Sequence, residues 1–158
     1  MMDTRTAYAL FVDPALVFLA AQGGPPRNQA ADHLLLATMV QESNLSARLQ
    51  NGGPARSFYQ FEKISIIDVL TRARTAEMAR KVCELLVTKV DPAAVFDAVA
   101  DNDVLATCFA RLNYWNSRLP LPATEAEGWL CYKSTWKPGK PDPDRWPRAW
   151  ALAGNALA

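Results

Sequence analysis

The chain of 158 residues has one histidine, three cysteines and almost no net charge. His33 has no cluster of Asp, Glu or Cys at ligand spacing, so neither a metal site nor a Ser-His-Asp triad is predicted. Cys83, Cys108 and Cys131 are odd in number, widely spaced and without a CxxC pair, which argues against a disulfide framework or a zinc knuckle. Seventeen basic and sixteen acidic residues give a net charge of +1, which excludes the strongly basic field typical of nucleic-acid-binding proteins.

The sequence also lacks long apolar runs and alternating strand patterns. No apolar stretch approaches the roughly 20 residues that span a bilayer, and Asp13-Pro14 interrupts the apolar N-terminal segment as a helix start, with Asp13 as N-cap. We therefore expect a protein without a signal peptide, synthesised in the cytoplasm and not inserted into a membrane. Half of the residues are apolar, which predicts that residues 1–158 form one soluble domain. The cysteines are then expected to be buried free thiols, as a reducing cytosol allows.

The chain contains helical periodicity with recognisable boundary residues. The predicted helices run from Pro14 to the Gly23-Gly24 break, from Asn28 to Ser43, from Lys63 to Leu70, from Thr75 through Leu86, from Pro92 through Val99, from Asp103 to Arg118 and from Thr124 through Lys133, with one short helix in the tail. Thr75 is predicted to cap its helix, and Thr124 with Glu127 to form a capping box. The fold class is therefore predicted as mainly α, a single helical domain with at most a small irregular sheet in residues 44–60.

Glu42 is notable because it closes the helix predicted at 28–43 on that helix's apolar side. Steps of three and four residues back from Glu42 reach one largely apolar stripe, formed by Met39, Thr38, Leu35, Leu34 and Ala31. A carboxyl group among apolar neighbours is poorly solvated when charged, so we expect its pKa to be raised towards neutrality. A carboxyl that is protonated near neutral pH is what a general acid needs to act on a glycosidic oxygen.

The segment around Glu42 carries a family resemblance. Glu42-Ser43 is followed, eighteen residues after the Glu, by Gln60 in a small–aromatic–aromatic–Gln run. This arrangement resembles lytic transglycosylases and goose-type lysozymes, in which Glu-Ser precedes a Gly-Leu-Met-Gln-like segment. The variant GPARSFYQFE looks most like lysozyme-like proteins of phages and prophages. The resemblance covers residues 31–62 well and residues 110–140 loosely.

Two departures from the family pattern affect the predicted site. Ser57-Phe58-Tyr59 stands where the family has Gly-Leu-Met, so we expect that the loop does not use a glycine conformation there. The family's Ala-Tyr-Asn motif is only echoed, in residues 111–115. From this echo, Tyr114 is preferred over Tyr132 as the phenol that hydrogen-bonds the catalytic carboxyl.

The resemblance implies a lysozyme-like α+β domain that cleaves the β-1,4 bond between N-acetylmuramic acid and N-acetylglucosamine in peptidoglycan. Glu42 would protonate the leaving oxygen, and the same carboxylate would then act as base on the C6 hydroxyl, giving a 1,6-anhydro product, or on water. The expected substrate-binding residues are Ser43, Tyr59, Gln60, Glu62 and Tyr114. No metal or organic cofactor is implied. The implied setting is a monomeric phage or prophage protein that reaches the wall through a holin-type pore or within a virion.

Several alternatives stay open at the level of residues. Glu62 is either the base of a chitinase-like inverting hydrolase or an ordinary acid at a helix N-terminus. Gln60 offers its amide either to an N-acetyl group or to the loop that carries it. Phe58 and Tyr59 either stack on a sugar or fill the core. A non-catalytic virion module that binds peptidoglycan is the alternative outside the enzyme class.

Overall fold

The computed structural model describes residues 1–158, of which 62% are helical. The helices are α1 (Thr4–Ala7), a π-helical turn (Tyr8–Val12), α2 (Asp13–Ala21), α3 (Gln29–Ser43), α4 (Lys63–Thr71), α5 (Ala76–Leu85), α6 (Pro92–Ala98), α7 (Asp103–Ser117), α8 (Glu125–Trp136) and α9 (Trp146–Leu157). The β-structure consists of two isolated antiparallel bridges, Leu49 with Arg56 and Arg56 with Phe61. The prediction of a mainly α fold, with any sheet confined to the segment after Glu42, is therefore confirmed.

Side-chain caps explain why several helices begin where the sequence predicts. The side chain of Asn28 accepts a hydrogen bond from the Ala30 amide at the start of α3. Asp91 does the same for α6, and Asn102 does so for α7. Each cap satisfies an amide that has no partner within its own helix. These boundaries agree with the predicted ones to within a residue or two.

The prediction for Asp13-Pro14 is wrong, because the helix does not start there. The chain is helical from Thr4 onwards and passes through the π-helical turn directly into α2. A proline inside an α-helix removes one amide donor, and its ring collides with the carbonyl four residues earlier. The wider π-helical turn accommodates this, with the Asp13 amide bonded to the carbonyl of Tyr8 five residues back. The Asp13 carboxylate, instead of capping, forms an ion pair with Arg27 at 3.0 Å.

The prediction for the Thr75 side chain is also wrong. Thr75 precedes α5, but its hydroxyl donates to the carbonyl of Val69 and accepts from Asn116, so it joins α4 and α7 rather than capping. At the start of α8 the Thr124 hydroxyl accepts from the Glu127 amide as predicted. The Glu127 carboxylate reaches back one residue further than in the usual capping box, to the Ala123 amide.

The N-terminal helical segment, Thr4–Ala21, is apolar on average, although it contains Arg5 and Asp13. Its mean hydropathy over 18 residues is 1.2, so by length and composition it qualifies as a membrane span. Within the protein 33% of that segment is buried, and its apolar side chains Phe11, Leu16 and Leu19 join the core. Packing therefore accounts for part of the apolar composition, and the absence of membrane insertion stays a prediction.

Helix α7 lies at the centre of the protein, and α9 packs along α3. Every residue from Leu105 to Tyr114 is buried, including the polar side chains of this stretch. The sequence predicted only one short helix in the tail, whereas α9 has 12 residues and is closely packed. A side chain at Gly128 of α8 would collide with the Trp150 ring of α9. The contact between α8 and α9 thus depends on a glycine, and it positions the helix that faces Glu42.

The prediction that the three cysteines are buried free thiols within helices is confirmed. Cys83, Cys108 and Cys131 are free and buried, each within a helix. His33 stacks on Trp150 with ring centroids 3.8 Å apart, and its Nε2 is 2.8 Å from the Trp150 carbonyl oxygen. His33 therefore has a packing role between α3 and α9.

Candidate active site

The end of α3 opens into a mostly polar cleft of about 380 Å³. The cleft lies between the loop after α3, the start of α4 and the end of α8. The side chains that matter for its chemistry are those of Glu42, Gln60, Glu62, Asn113, Thr135 and Lys137. Three of these, Glu42, Gln60 and Glu62, were predicted as site residues from the sequence, and the fold brings them to one cavity.

Glu42 occupies the position that its helical stripe predicts. The five stripe residues behind it, Ala31, Leu34, Leu35, Thr38 and Met39, are each at most 1% exposed. Glu42 itself is partly buried. Burial raises its pKa from 4.5 to about 7, because the charged form loses solvation. The carboxyl is therefore protonated in a substantial fraction of molecules at neutral pH.

Tyr132 of α8 is the hydrogen-bond partner of Glu42. Its hydroxyl donates to Oε1 of Glu42 at 2.7 Å, which favours the charged form and opposes the effect of burial on the Glu42 pKa. The Oε2 atom has no hydrogen-bond partner in the protein and is left for a ligand in the cleft. The Tyr132 ring stacks on Trp146, with centroids 5.2 Å apart and planes 17° from parallel. This stacking restricts the orientation of the Tyr132 ring that carries the hydroxyl.

Tyr114 was preferred from the sequence as this partner, and that prediction is wrong. The Tyr114 hydroxyl is hydrogen-bonded to Thr38 at 2.7 Å, one helical turn before Glu42. Its side chain is 5% exposed and does not line the cleft. Tyr114 instead packs against Trp136, with ring centroids 4.8 Å apart, and thereby supports the wall of the cleft from behind.

Two charged groups outside the apolar stripe also act on Glu42. The guanidinium of Arg145, just before α9, favours the charged carboxylate and lowers the Glu42 pKa. The carboxylate of Glu62, just before α4, disfavours that charge and raises the pKa. Both side chains are exposed, so their influence is weaker than that of burial or of Tyr132.

Ser43 and Tyr59 do not line the cleft, although the sequence predicted them as substrate-binding residues. The Ser43 hydroxyl donates to the carbonyls of Met39 and Phe58, at 3.0 and 2.8 Å, and so ties the end of α3 to the loop. Tyr59 is 1% exposed and donates to Thr107 at 3.2 Å. Phe58 is buried at 3% exposure. These residues hold the loop in place behind the cleft surface.

The loop does use a glycine-like conformation at Ser57, contrary to the prediction. Ser57 has φ +68° and Gln60 has φ +51°, both in the left-handed region. The strain at Ser57 is offset by hydrogen bonding, because its hydroxyl accepts from the Tyr59 amide at 3.0 Å. Gln60 donates through Nε2 to the Ser57 carbonyl at 2.7 Å and leaves its Oε1 without a protein partner. Its amide therefore both closes the loop and offers an acceptor to the cleft.

Sequence analysis missed two polar groups of the cleft, Asn113 and Thr135. Asn113 is 7% exposed, and its Nδ2 is buried without a hydrogen-bond partner. The Thr135 Oγ1 is also buried without a hydrogen-bond partner. An unsatisfied buried donor is costly, which marks these atoms as places where a ligand can supply the missing partner. The helical pattern that placed Glu42 could also have identified Asn113 as a site residue. Steps of three and four residues back from Asn113 reach Ala110, Phe109 and Ala106, which lie on a buried face of α7.

The segment between α8 and α9 forms one rim of the cleft. Lys137 and Lys140 lie on this rim. The Asp142 carbonyl in the same segment accepts a hydrogen bond from Gln41 Nε2 at 2.8 Å, which fastens the segment to the last turn of α3. The rim is therefore held to the helix that carries Glu42.

Comparison of the chain with known protein families, with characterised proteins and with solved structures finds no match. No group of three or more His, Cys, Asp and Glu side chains lies close enough together to hold a metal ion. The case for a function therefore depends on Glu42 and the cleft around it.

Proposed function

We propose that this protein is a lysozyme-like glycosidase that cleaves the β-1,4 bond between N-acetylmuramic acid and N-acetylglucosamine, with Glu42 as the single acid and base. The observation that carries the proposal is a partly buried carboxyl with a pKa of about 7 at the wall of a polar cleft. General acids of glycoside hydrolysis need a raised pKa of this kind, since the proton must be present at working pH and be released to the leaving oxygen. The family resemblance of Glu42-Ser43 and Gln60 points to the same reaction.

In the proposed reaction Glu42 transfers its proton to the glycosidic oxygen from Oε2. Oε1 stays bonded to Tyr132, which keeps the carboxyl in one orientation and stabilises the carboxylate left after proton transfer. That carboxylate then removes a proton from the nucleophile. If the nucleophile is the C6 hydroxyl of the same sugar, a 1,6-anhydro ring is formed, and if it is water, the product has a free reducing end.

The polar lining of the cleft fits N-acetylated sugars. Asn113 and Thr135 present donors without protein partners, and Gln60 presents an acceptor. An acetamido group has one N–H and one carbonyl, so it can satisfy a donor and an acceptor at once. Lys137 and Lys140 on the rim suit a polymer that carries carboxylates. We propose peptidoglycan strands as the partner, and a phage or prophage lysis or virion protein as the setting.

The test is the release of muropeptides from isolated Gram-negative peptidoglycan, analysed by mass spectrometry. Wild type and Glu42→Gln are compared, with Glu125→Gln as the control for loss of a carboxylate on an exposed helix end. We expect anhydro-muropeptides from wild type and from Glu125→Gln, and none from Glu42→Gln. Products with reducing ends would still support a glycosidase, and they would show that water is the nucleophile. Absence of any product from wild type would contradict the proposal and favour the non-catalytic peptidoglycan-binding alternative.

A second candidate is an inverting hydrolase of chitin-like polymers, favoured by Glu62 on the wall of the same cleft. Inverting enzymes use a second carboxylate as the base that activates water. In that case Glu62→Gln abolishes cleavage of N-acetylglucosamine oligomers as completely as Glu42→Gln does. In the single-carboxylate mechanism Glu62→Gln retains most of its activity.

A further inference from the structure

A second pocket, of about 200 Å³, contains Arg111 of α7. Arg111 is only 4% exposed, yet it forms none of the six ion pairs of the protein and no side-chain hydrogen bond. A buried cation without a partner is unfavourable, so Arg side chains of this kind are normally paired. Arg111 belongs to the stretch of α7 from Leu105 to Tyr114 in which every residue is buried, and its side chain lines the pocket.

Two further arginines line the same pocket, Arg74 and Arg118. Arg74 Nε donates to the Trp115 carbonyl at 2.8 Å, and its guanidinium lies 4.3 Å from the centre of the Trp115 ring. The Arg111 guanidinium lies 5.4 Å from the same ring centre. The indole therefore attracts both cations and brings them close to each other. Arg118, at the left-handed end of α7 with φ +58°, is exposed and lines the pocket.

No acidic side chain lines this pocket. Burial, with a smaller contribution from the positive charge of Arg74, lowers the pKa of Arg111 to about 10, although Asp32 opposes this from outside ion-pair distance. The Asp32 Oδ2 is bonded to Arg27 at 3.0 Å, whereas its Oδ1 is buried without a hydrogen-bond partner. Three arginines thus line a cavity that no acidic side chain lines, and the cavity is large enough for a small anion.

We propose that the pocket formed by Arg74, Arg111 and Arg118 binds a phosphate oxyanion, as the free ion or as a phosphate monoester. Guanidinium groups donate paired hydrogen bonds to phosphate oxygens, and a charge of about −1.5 to −2 matches several cations better than one carboxylate does. The Ser117 hydroxyl is bonded to the Tyr114 carbonyl, so the three arginines provide the binding groups. The proposal does not depend on the glycosidase function, because none of these residues lines the Glu42 cleft.

The test is isothermal titration of the full chain with inorganic phosphate and, separately, with glycerol 1-phosphate. The buffer contains neither phosphate nor sulfate, and sodium acetate at matched ionic strength is the control ligand. We expect both phosphates to bind and acetate not to bind. Tighter binding of inorganic phosphate assigns the pocket to the free ion, whereas tighter binding of glycerol 1-phosphate assigns it to a phosphorylated molecule. Equal heats with acetate, or no heat with either phosphate, would overturn the proposal.

Substitutions of single arginines test whether phosphate binds in this pocket. We expect Arg111→Gln to weaken phosphate binding at least about tenfold, the loss of one charge-assisted contact. Arg118→Gln removes an exposed side chain, so it tests the pocket even if Arg111→Gln fails to fold, and we expect it to weaken binding about threefold to tenfold. The matched control is Arg5→Gln, which removes an exposed arginine that has no ion pair and lies outside the pocket. Phosphate binding that is unchanged in Arg118→Gln, or weakened equally in Arg5→Gln, would exclude this pocket.

Discussion

The Tyr132 hydroxyl and Oε1 of Glu42 lie 2.7 Å apart, although 90 residues separate them in the sequence. Burial and this hydrogen bond act on the carboxyl in opposite directions, since burial favours the protonated form and the phenol favours the charged one. Burial is the stronger of the two, so the pKa is about 7 rather than 4.5. Each neighbour of Glu42 can therefore be tested by the direction in which its loss moves that pKa.

Replacing Tyr132 with Phe is expected to raise the Glu42 pKa by about one unit, because the charged carboxylate loses a hydrogen bond. The pKa is read from the ¹³C chemical shift of the Glu42 carboxyl during a pH titration. In activity assays the alkaline limb of the pH–rate profile moves to higher pH by the same amount, because Glu42 stays protonated up to a higher pH. The matched control is Tyr114→Phe, whose hydroxyl is bonded to Thr38 instead. Equal shifts in the two variants would contradict the assignment of Tyr132.

Arg145 and Glu62 are expected to move the Glu42 pKa in opposite directions. Arg145→Gln removes a positive charge that favours the carboxylate, so the pKa rises, and Glu62→Gln removes a negative charge, so the pKa falls. Both side chains are exposed, and the shifts are expected to be about a few tenths of a unit at low salt. The same NMR titration measures them. Shifts of the same sign, or shifts that persist unchanged in molar salt, would be inconsistent with this electrostatic arrangement.

Glu42→Gln is expected to stabilise the protein at alkaline pH. The folded-state pKa of about 7 lies above the unfolded value, so the folded protein binds more protons and the wild type loses stability as pH rises from about 4.5 to 7. The full penalty is about 3 kcal/mol above pH 8, part of which the buried amide retains. Urea unfolding at pH 4 and pH 8 measures the difference. If the difference in unfolding free energy between Glu42→Gln and the wild type were the same at both pH values, the pKa of Glu42 would not be raised in the folded protein.

Ser57 offers a test of backbone strain in the loop behind the cleft. Ser57→Ala keeps the left-handed conformation and loses the hydrogen bond to the Tyr59 amide, whereas Ser57→Gly loses the same bond but relieves the strain. We expect the glycine variant to be about 1 kcal/mol more stable than the alanine variant, less the extra entropy that glycine gives to the unfolded chain. Thermal unfolding of the two proteins side by side measures this. An alanine variant that is the more stable would contradict the positive φ.

The helix that carries Glu42 could be predicted because its evidence is local. Asn28 begins α3, the stripe from Ala31 to Met39 repeats with helical period, and Glu42 continues that stripe. Gln60 could also be predicted as a residue of the site, because the prediction used only its spacing from Glu42 in the sequence. Asn113 obeys the same rule on α7 and could have been included.

The choice between Tyr114 and Tyr132 could not be made from local pattern. Both lie on helices with apolar faces, and the phenol that meets Glu42 is decided by how α8 packs on α9. That packing depends on the clearance between Gly128 and Trp150, a tertiary contact that no spacing encodes. The π-helical turn before Pro14 was missed for a similar reason, because it allows a helix to continue where a proline would normally end it.

Because α9 is synthesised after the other helices of this chain, part of the site is assembled late. Helix α9 is the last helix of this chain, yet it carries Trp146, which braces Tyr132, and it begins directly after Arg145. Contacts between distant parts of a chain form late, because the intervening loop must first be closed at a cost in entropy. While α9 is still to be added on the ribosome, the Tyr132 ring lacks the Trp146 side chain that stacks on it. A growing chain therefore lacks the stacking contact that holds the Tyr132 phenol against Glu42, and this contact forms only after α9 has been synthesised.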